Sequence, residues 1–551
     1  MIRHVTPLIL RGPQHFVQTN EFAVGNRRHQ SIHRSSDLCL SSGSESYENL
    51  AEFLEMMAAQ QLRHLVIGFG LVISAVACHD GPSEPSVNLT VGPSNPVLLV
   101  GMSLQLESAA PSGVTLQQGT DTTWSSSASS IISVDSTGLI TAKSSGSATV
   151  TVIIGSASGQ VVVIAENPPV GIQAKDRVAC GIVTNGDAYC WGVNSLGQVG
   201  NGTTLAVVAD PSKVTGVSGF ATITPGGAHT CATTASGAMY CWGCNSEGEL
   251  GIGSSAYTEG LSGTCGTIKT SPVQVASSTA FFDVEAASSV LQAGQSSVCS
   301  DAVCLARTCA LGTGGQLYCW GQGSTTPVTV TNAPKFKSLS MHMSRGCGIG
   351  TDQTLYCFPI SWTGGPALIQ PTAVAPEVKM QSVSVGRHHT CSLDTKGRAW
   401  CFGANIRGEL GSPSTETCSR RIYGSYTCRS APDTVYGGIR FQSISAGGGT
   451  LSTSDGAPVS HTCGVTVKQE IYCWGDNQFG QLGNGTQTSA SVPTKISSDL
   501  KFRSVTTGYL STCAVAVAGA GYCWGGVSAT GYLPTSAVST PTQVSSSLVF
   551  K

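Results

Sequence analysis

Charge is scarce in this chain. Charged residues make up 11% of its 551 residues and the formal net charge is −2. A surface that tracks phosphates needs a basic excess, so nucleic acid is not an expected partner. A long apolar run is also missing. The apolar stretch 65–76 falls short of the roughly 20 residues that a membrane helix requires. Nor is there a Gly-x-Ser-x-Gly elbow with a traceable base, a His-Glu-x-x-His pair, or a phosphate loop ending in Gly-Lys-Ser/Thr. The expectation is therefore a protein that is not an enzyme, with no catalytic residues, no cofactor and no metal. What the chain does have is 67 glycines and 22 cysteines among many Ser, Thr, Asn and Gln residues. That mixture suits short strands joined by tight turns.

The cysteines are unevenly placed. Cys39 and Cys78 lie early, and the other twenty fall between Cys180 and Cys523. An even number crowded into one region reads as a disulfide framework, provided the compartment is oxidising.

An export signal is present, though in an odd place. Residues 60–78 run QQLRHLVIGFGLVISAVAC, with Arg63 and His64 ahead of the apolar run and Ala75-Val76-Ala77 as a small-residue cleavage pattern. Such anatomy is that of a secretory signal peptide, assigned here to 57–78. Met56 or Met57 offers a natural start, which makes 1–56 either a mis-started segment or an extended leader. Cys78 resembles the lipidated cysteine of bacterial lipoproteins, although Ala75 stands where Leu is usual. Lipidation and simple cleavage are the two readings, and a lipid at Cys78 is the single membrane attachment expected. Residues 79–86 (HDGPSEPS) are polar and Pro-containing, as a tether should be.

From 87 to 165 apolar and polar residues alternate, as in Leu98–Leu106 and Ser147–Val152. Period-two alternation over about eighty residues fits a small sandwich of two sheets around one core. The stretches Thr123-Trp124-Ser125-Ser126 and Val134-Asp135-Ser136-Thr137-Gly138-Leu139-Ile140-Thr141-Ala142 resemble a group 2 bacterial immunoglobulin-like domain. That resemblance implies a spacer or adhesive module, with Trp124 as a core residue in preference to a sugar-stacking one.

Between 166 and 551 one pattern recurs seven times: a cysteine followed ten positions later by another. The pairs are Cys180 with Cys190, Cys231 with Cys241, Cys309 with Cys319, Cys347 with Cys357, Cys391 with Cys401, Cys463 with Cys473, and Cys513 with Cys523. Several enclose a turn signal, such as Asn185-Gly186, Ser236-Gly237, Gly314-Gly315 or Lys396-Gly397. Ten residues centred on a turn place the two cysteines opposite each other on adjacent antiparallel strands, within reach of a disulfide. Hairpins repeated at this period indicate propeller blades, not helical arrays. The six remaining cysteines are paired by proximity: Cys244 with Cys265, Cys299 with Cys304, and Cys418 with Cys428. Most lie in stretches that lengthen the repeat, 252–304 and 412–436 above all.

The segment Cys190-Trp191-Gly192-Val193-Asn194-Ser195-Leu196-Gly197-Gln198-Val199-Gly200 recurs as Cys473-Trp474-Gly475-Asp476-Asn477-Gln478-Phe479-Gly480-Gln481-Leu482-Gly483, with versions at 241–251 and 401–411. His-Thr precedes the first cysteine at 229–230, 389–390 and 461–462. These residues resemble the regulator of chromosome condensation repeat in a cysteine-paired, exported bacterial form. The resemblance implies an all-β chain, a seven-bladed β-propeller preceded by a small immunoglobulin-like β-sandwich. It also implies that the His-Thr-Cys histidines are structural, against the alternative that they and Cys241-Trp242-Gly243-Cys244 bind metal. The third repeat loses the Asn-x-x-Gly-Gln pattern, the fourth has Cys357-Phe358-Pro359, and the seventh keeps little after Trp524-Gly525.

The first repeat has a short opening strand at 170–173, and the chain ends Leu548-Val549-Phe550-Lys551. This tail is expected to pack beside the first repeat and fasten the ring. The function expected is that of an exported or cell-surface protein binding an unknown protein or glycan through loops on one face, with the two lengthened stretches as contact surface. Two other classes stand beside it: guanine-nucleotide exchange, which the eukaryotic repeat family implies, and a hydrolase or lyase acting on envelope polymers, which would need acidic or His residues converging on one face. Scattered carboxylates such as Asp301, Glu416 and Asp433 read as solvated surface.

Overall fold

A computed structural model describes residues 87–551 apart from 95, 100–102, 113–120, 145, 167–170, 256–264, 266, 288–305, 323, 343–344, 360–368, 414–415, 421–423, 450–458 and 527–537. The leader, the signal peptide with Cys78, the 79–86 tether, Asp301, and Cys299 with its expected partner Cys304 lie outside the described residues. All described residues belong to one compact unit.

The first part is a sandwich. One sheet runs Val97–Leu99, Ala157–Glu166, Gly146–Ile154, Thr122–Ser126; another runs Ser103–Gln105, Leu139–Ala142, Ile132–Val134; a two-stranded pair joins Thr90–Gly92 to Glu107–Ala109. Alternation buries Ala148, Val150 and Val152 on the inner face while Ser147 and Ile153 point outward. Leu104, Leu106, Ile132, Ile140 and Val163 complete the core, and Trp124 packs half-buried against it. A Cβ on Gly138 would come within 2.8 Å of the Trp124 ring, so the Gly in that turn is what admits the indole.

The second part is seven consecutive antiparallel sheets. In each, a hairpin carrying the cysteine pair forms the two middle strands, for example Val178–Ile182 with Ala188–Val193. Cysteines face each other in register, Cys180 opposite Cys190 through to Cys513 opposite Cys523. The first strands pack against one another around the ring and form its inner wall. They open on a buried large residue: Phe220, Phe281, Phe336, Met380, Phe441 and Phe502 in blades two to seven. The fourth strands carry a proline in six blades, Pro211, Pro272, Pro327, Pro432, Pro493 and Pro541, and in blade four Pro371 immediately precedes the strand Thr372–Val374. All six in-strand prolines lie at a register shift opposite the residue after the second cysteine. Proline cannot donate to a ladder, which disfavours pairing of these strands with another sheet where they form the blade rim, as they do in every blade but the fifth.

Strand connectivity gives the ring two different faces. The turns between the second and third strands lie on one, here the hairpin face, together with the links from each blade to the next. The connections between first and second strands, and between third and fourth, lie on the opposite loop face. The connections from Cys244 to Ile268 in blade two and from Ala404 to Gly424 in blade five therefore lie on the loop face, while the rest of 252–304 includes two blade strands, Ile268–Gln274 and Phe281–Ala287, and the link between them. The connection in blade five adds a fifth strand to that blade, Glu416–Arg420 pairing with Gly424–Thr434.

The chain terminus closes the ring. The Val549 carbonyl accepts the Thr184 amide at 3.2 Å, and Phe550 pairs with Val183 in the first blade's hairpin. Phe550 is buried among Ile172, Ala179, Trp191 and Val515, between the seventh blade and the first.

Candidate functional site

Nine disulfides are formed among the described residues. Seven close the blade hairpins: Cys180 to Cys190, Cys231 to Cys241, Cys309 to Cys319, Cys347 to Cys357, Cys391 to Cys401, Cys463 to Cys473, and Cys513 to Cys523. Each spans 4.0–4.2 Å between Cα atoms. The other two, Cys244 to Cys265 and Cys418 to Cys428, staple the lengthened stretches on the loop face.

The blade bridges also pack against the next blade. Cys180 and Cys190 touch a core that holds Phe220, Ile223 and Trp242 of blade two. Cys309 and Cys319 lie in one core with Phe336 and Phe358 of blade four. Cys391 and Cys401 do the same with Phe441 and Trp474 of blade six. These cysteines are thus structural, and none is left as a thiol that could ligate a metal.

The repeat motif works between blades. The Gln198 carbonyl accepts the Thr230 hydroxyl at 2.8 Å and the Trp242 indole N–H at 2.9 Å, both from the following blade. Glu249 does the same for Thr308 and Trp320, Glu409 for Thr462 and Trp474, and Gln481 for Thr512 and Trp524. Because each threonine spends its hydroxyl proton on that carbonyl, the histidine beside it must donate. His229 Nε2 lies 2.9 Å from Thr308, His389 2.7 Å from Thr462, and His461 2.9 Å from Thr512. Burial pushes all three imidazoles down to about 3, so they stay neutral donors. They are blade clamps.

This arrangement explains why the repeats differ. A blade's Thr and Trp read the loop of the blade before it. Blades one, two, five and six own the Gly-Gln/Glu-x-Gly loop, and blades two, three, six and seven own the Thr and Trp. Blades four and five follow blades without that loop and carry Phe358 and Phe402 instead; blade one, which also follows such a blade, keeps Trp191 but has Ala179 in the threonine position, and its indole packs in the seam core. Thr390, in blade five, has a buried hydroxyl without a hydrogen-bond partner among the described residues.

At the centre of the ring, charged groups from several blades converge near the loop face. Lys175 in blade one reaches over to blade three, 2.6 Å from Glu285 Oε2 and 3.2 Å from the Ala286 carbonyl. Its neighbour Asp176 stands 3.9 Å from His342 Nε2 of blade four. Burial raises Asp176 to about 6, against the opposing pull of Arg387, Lys175 and Arg177. Burial, then Arg387, Lys175, His388 and His389, hold His342 well below its ordinary value, so the contact with Asp176 is polar and not ionic. Arg177 lies 5.0 Å over the Tyr509 ring of blade seven, and the Tyr509 amide donates to the Asp176 carbonyl. Deeper in, burial raises Asp283 to about 7, with Glu285 adding repulsion, while its Oδ2 accepts the Leu339 amide of blade four. Among the described residues, no three His, Cys, Asp or Glu side chains are grouped to hold a metal.

This cluster does not stand out in the sequence. Its signal was there: five residues before the first cysteine stand Gly226, Gly386 and Gly508 in three blades, but Lys175 and His342 in two others. Of the carboxylates expected on the surface, Glu416 on the blade-five extension accepts the Ser430 amide, and Asp433, opposite Cys401 in the blade itself, pairs with Arg429.

Comparison with known proteins agrees with this architecture. Residues 185–233, 236–290 and 469–515 match the regulator of chromosome condensation (RCC1) repeat, as do 222–249 and 380–409 in a second form of that family. Residues 87–165 match the bacterial Ig-like domain (group 2). The RCC1 domain-containing protein RUG3, mitochondrial, of Arabidopsis thaliana is 25% identical over 63% of this chain and 62% of its own length. The regulator of chromosome condensation of Xenopus laevis is 26% identical over 62% of this chain and 79% of its own. This chain thus spans less than two thirds of the Arabidopsis relative. In structure, Prp20p from Saccharomyces cerevisiae aligns with a TM-score of 0.50 at 17% identity, over 69% of this chain and 88% of the yeast one. The yeast protein bound to Kap60 aligns at 0.51 and 17%, covering 67% and 85%. At that identity the likeness is one of fold.

Proposed function

This chain is a protein of regulator of chromosome condensation repeats preceded by a group 2 bacterial Ig-like domain, and from that premise we propose that it is an exported binding protein whose loop face recognises a protein or glycan. Its disulfides and bacterial Ig-like domain are consistent with an extracellular location. The export signal at 57–78, with cleavage or lipidation at Cys78, is the route this reading requires.

One observation carries the proposal. Strand connectivity puts the long connections from Cys244 to Ile268 and from Ala404 to Gly424 on the face where Lys175, Asp176, Glu285, His342 and Arg387 converge. A rigid ring bearing variable loops around a polar centre is suited to recognition. The carboxylates there are engaged in pairing the ring across its centre.

Affinity capture tests it. The oxidised full chain is used as bait against intact cells and envelope extracts, with a reduced and alkylated chain as control. Recovery of an extracellular protein or glycan by the oxidised chain alone is expected. Recovery of a GTPase alone would overturn the reading and favour nucleotide exchange.

A further inference from the structure

The hairpin face is uniform in its repeats but not in its exposure. Val467 and Val517 occupy the same turn position in blades six and seven, each donating its amide to the link before its own blade, at Arg440 and Lys501 respectively. Val517 is 42% exposed, whereas Val467 is 6% exposed and sits in the core cluster of the Ig-like domain with Leu104 and Leu106. The second residue of the inner strand behaves likewise: Phe282 in blade three is 43% exposed, and Gln442 in blade six only 3%. Strand Val97–Leu99 of the Ig-like domain lies against the inner strand Phe441–Gly449 that carries Gln442.

Polar contacts fix the same orientation. The Ser103 amide donates to Gln381 Oε1 of blade five at 2.9 Å. Arg440 Nη2 lies 3.2 Å from Glu107, while its Nη1 donates to the Lys396 carbonyl at 2.6 Å. Leu104 Cδ1 lies 3.6 Å from where a Cβ on Gly397 would stand, at the blade-five turn.

We propose that the hairpin face of blades five and six is a permanent seat for the chain's own Ig-like domain, which is therefore a fixed cap and not a swinging spacer. Apolar burial of Val467 and Leu104 supplies the attraction, and the Ser103–Gln381 and Glu107–Arg440 contacts set the register. The exposed ion pair adds little by itself. The N-terminal attachment then joins the ring on its hairpin face, and the loop face is the one displayed. That last consequence rests on the proposed recognition role; the docking does not.

The test separates the two. A protease site is placed between Glu166 and Gly171 in the full chain, which is folded, oxidised and then cut. The halves are expected to co-elute in gel filtration at micromolar concentration. Val467→Asp is expected to weaken their association by about tenfold or more, the scale of one lost apolar anchor. Val517→Asp, at the uncovered turn, is expected to leave it unchanged. Halves of the chain with Val467 intact that separate on cleavage, or equal effects of the two substitutions, would overturn the proposal whatever the ligand.

Discussion

Phe550 pairs with Val183 across the seam of the ring, and its amide donates to the Gly519 carbonyl at 2.9 Å. In this it repeats Phe220, whose amide donates to Gly186, and Phe502, whose amide donates to Gln469. The last-but-one residue of the chain thus supplies the aromatic that would open the first blade's inner strand. The propeller is closed by a residue about 375 positions away from the strand it completes, Gln173–Lys175.

Removing that residue should open the seam. Phe550→Ala is expected to cost about 3–5 kcal/mol, the usual range for a buried phenylalanine. Deleting 545–551 should lower the melting temperature further. Calorimetry on the oxidised chain checks both, with the exposed Leu500→Ala as a control that leaves Tm in place. An unchanged Tm on truncation would count against closure.

The pairing of Trp with the preceding blade's loop makes a more selective prediction. Trp474→Phe should destabilise by about 1–3 kcal/mol, combining a lost hydrogen bond to Glu409 with a partial cavity beside Gly411. The reverse change, Phe402→Trp, should bring no stabilisation, because blade four offers no Gly-Gln/Glu-x-Gly loop for the indole to reach. Denaturant midpoints of the two variants decide it. A stabilised Phe402→Trp protein would contradict the between-blade account.

The buried loop carboxyls give a pH dependence. Burial raises Glu249 to about 8 and Glu409 to about 7, from an ordinary value of 4.5. A carboxyl raised in the folded state contributes stability that is fully present below its unfolded pKa and lost as pH rises through its folded one. The stabilising protons are thus lost between about pH 4.5 and 8. Glutamine already stands at the equivalent positions, Gln198 and Gln481. Glu249→Gln with Glu409→Gln should therefore raise Tm at about pH 8 and change it little at about pH 4.5. The His229, His389 and His461 clamps act in the opposite sense, losing stability as pH falls below about 6.5, since the unfolded chain takes up protons they refuse. Comparing the variant with the parent at each pH removes their contribution.

Much of this architecture was legible in the cysteine spacing. A separation of ten fixed the hairpin register, so Cys180 faces Cys190, Cys309 faces Cys319 and Cys391 faces Cys401 without any knowledge of the rest. The tail and the short first strand announced ring closure, because a strand lacking its aromatic needs one from elsewhere. The central cluster stayed hidden for a physical reason. Lys175, Glu285, His342 and Arg387 belong to four different blades and meet only once the ring closes. In blades three and six, moreover, long connections shift the count from inner strand to cysteine. The seating of the Ig-like domain was hidden too. Val467 and Val517 look alike in sequence, and only tertiary contact makes one of them core.

The most direct test of the recognition account is binding of the labelled full chain to intact cells, compared between two pairs of charge insertions. Leu205, 62% exposed, and the exposed Ser425 lie on the loop face; Leu500 and Val517 lie on the hairpin face. The account predicts that Leu205→Glu with Ser425→Glu abolishes binding while Leu500→Glu with Val517→Glu retains it, all variants keeping the parent Tm. Binding lost only in the hairpin-face pair would contradict it.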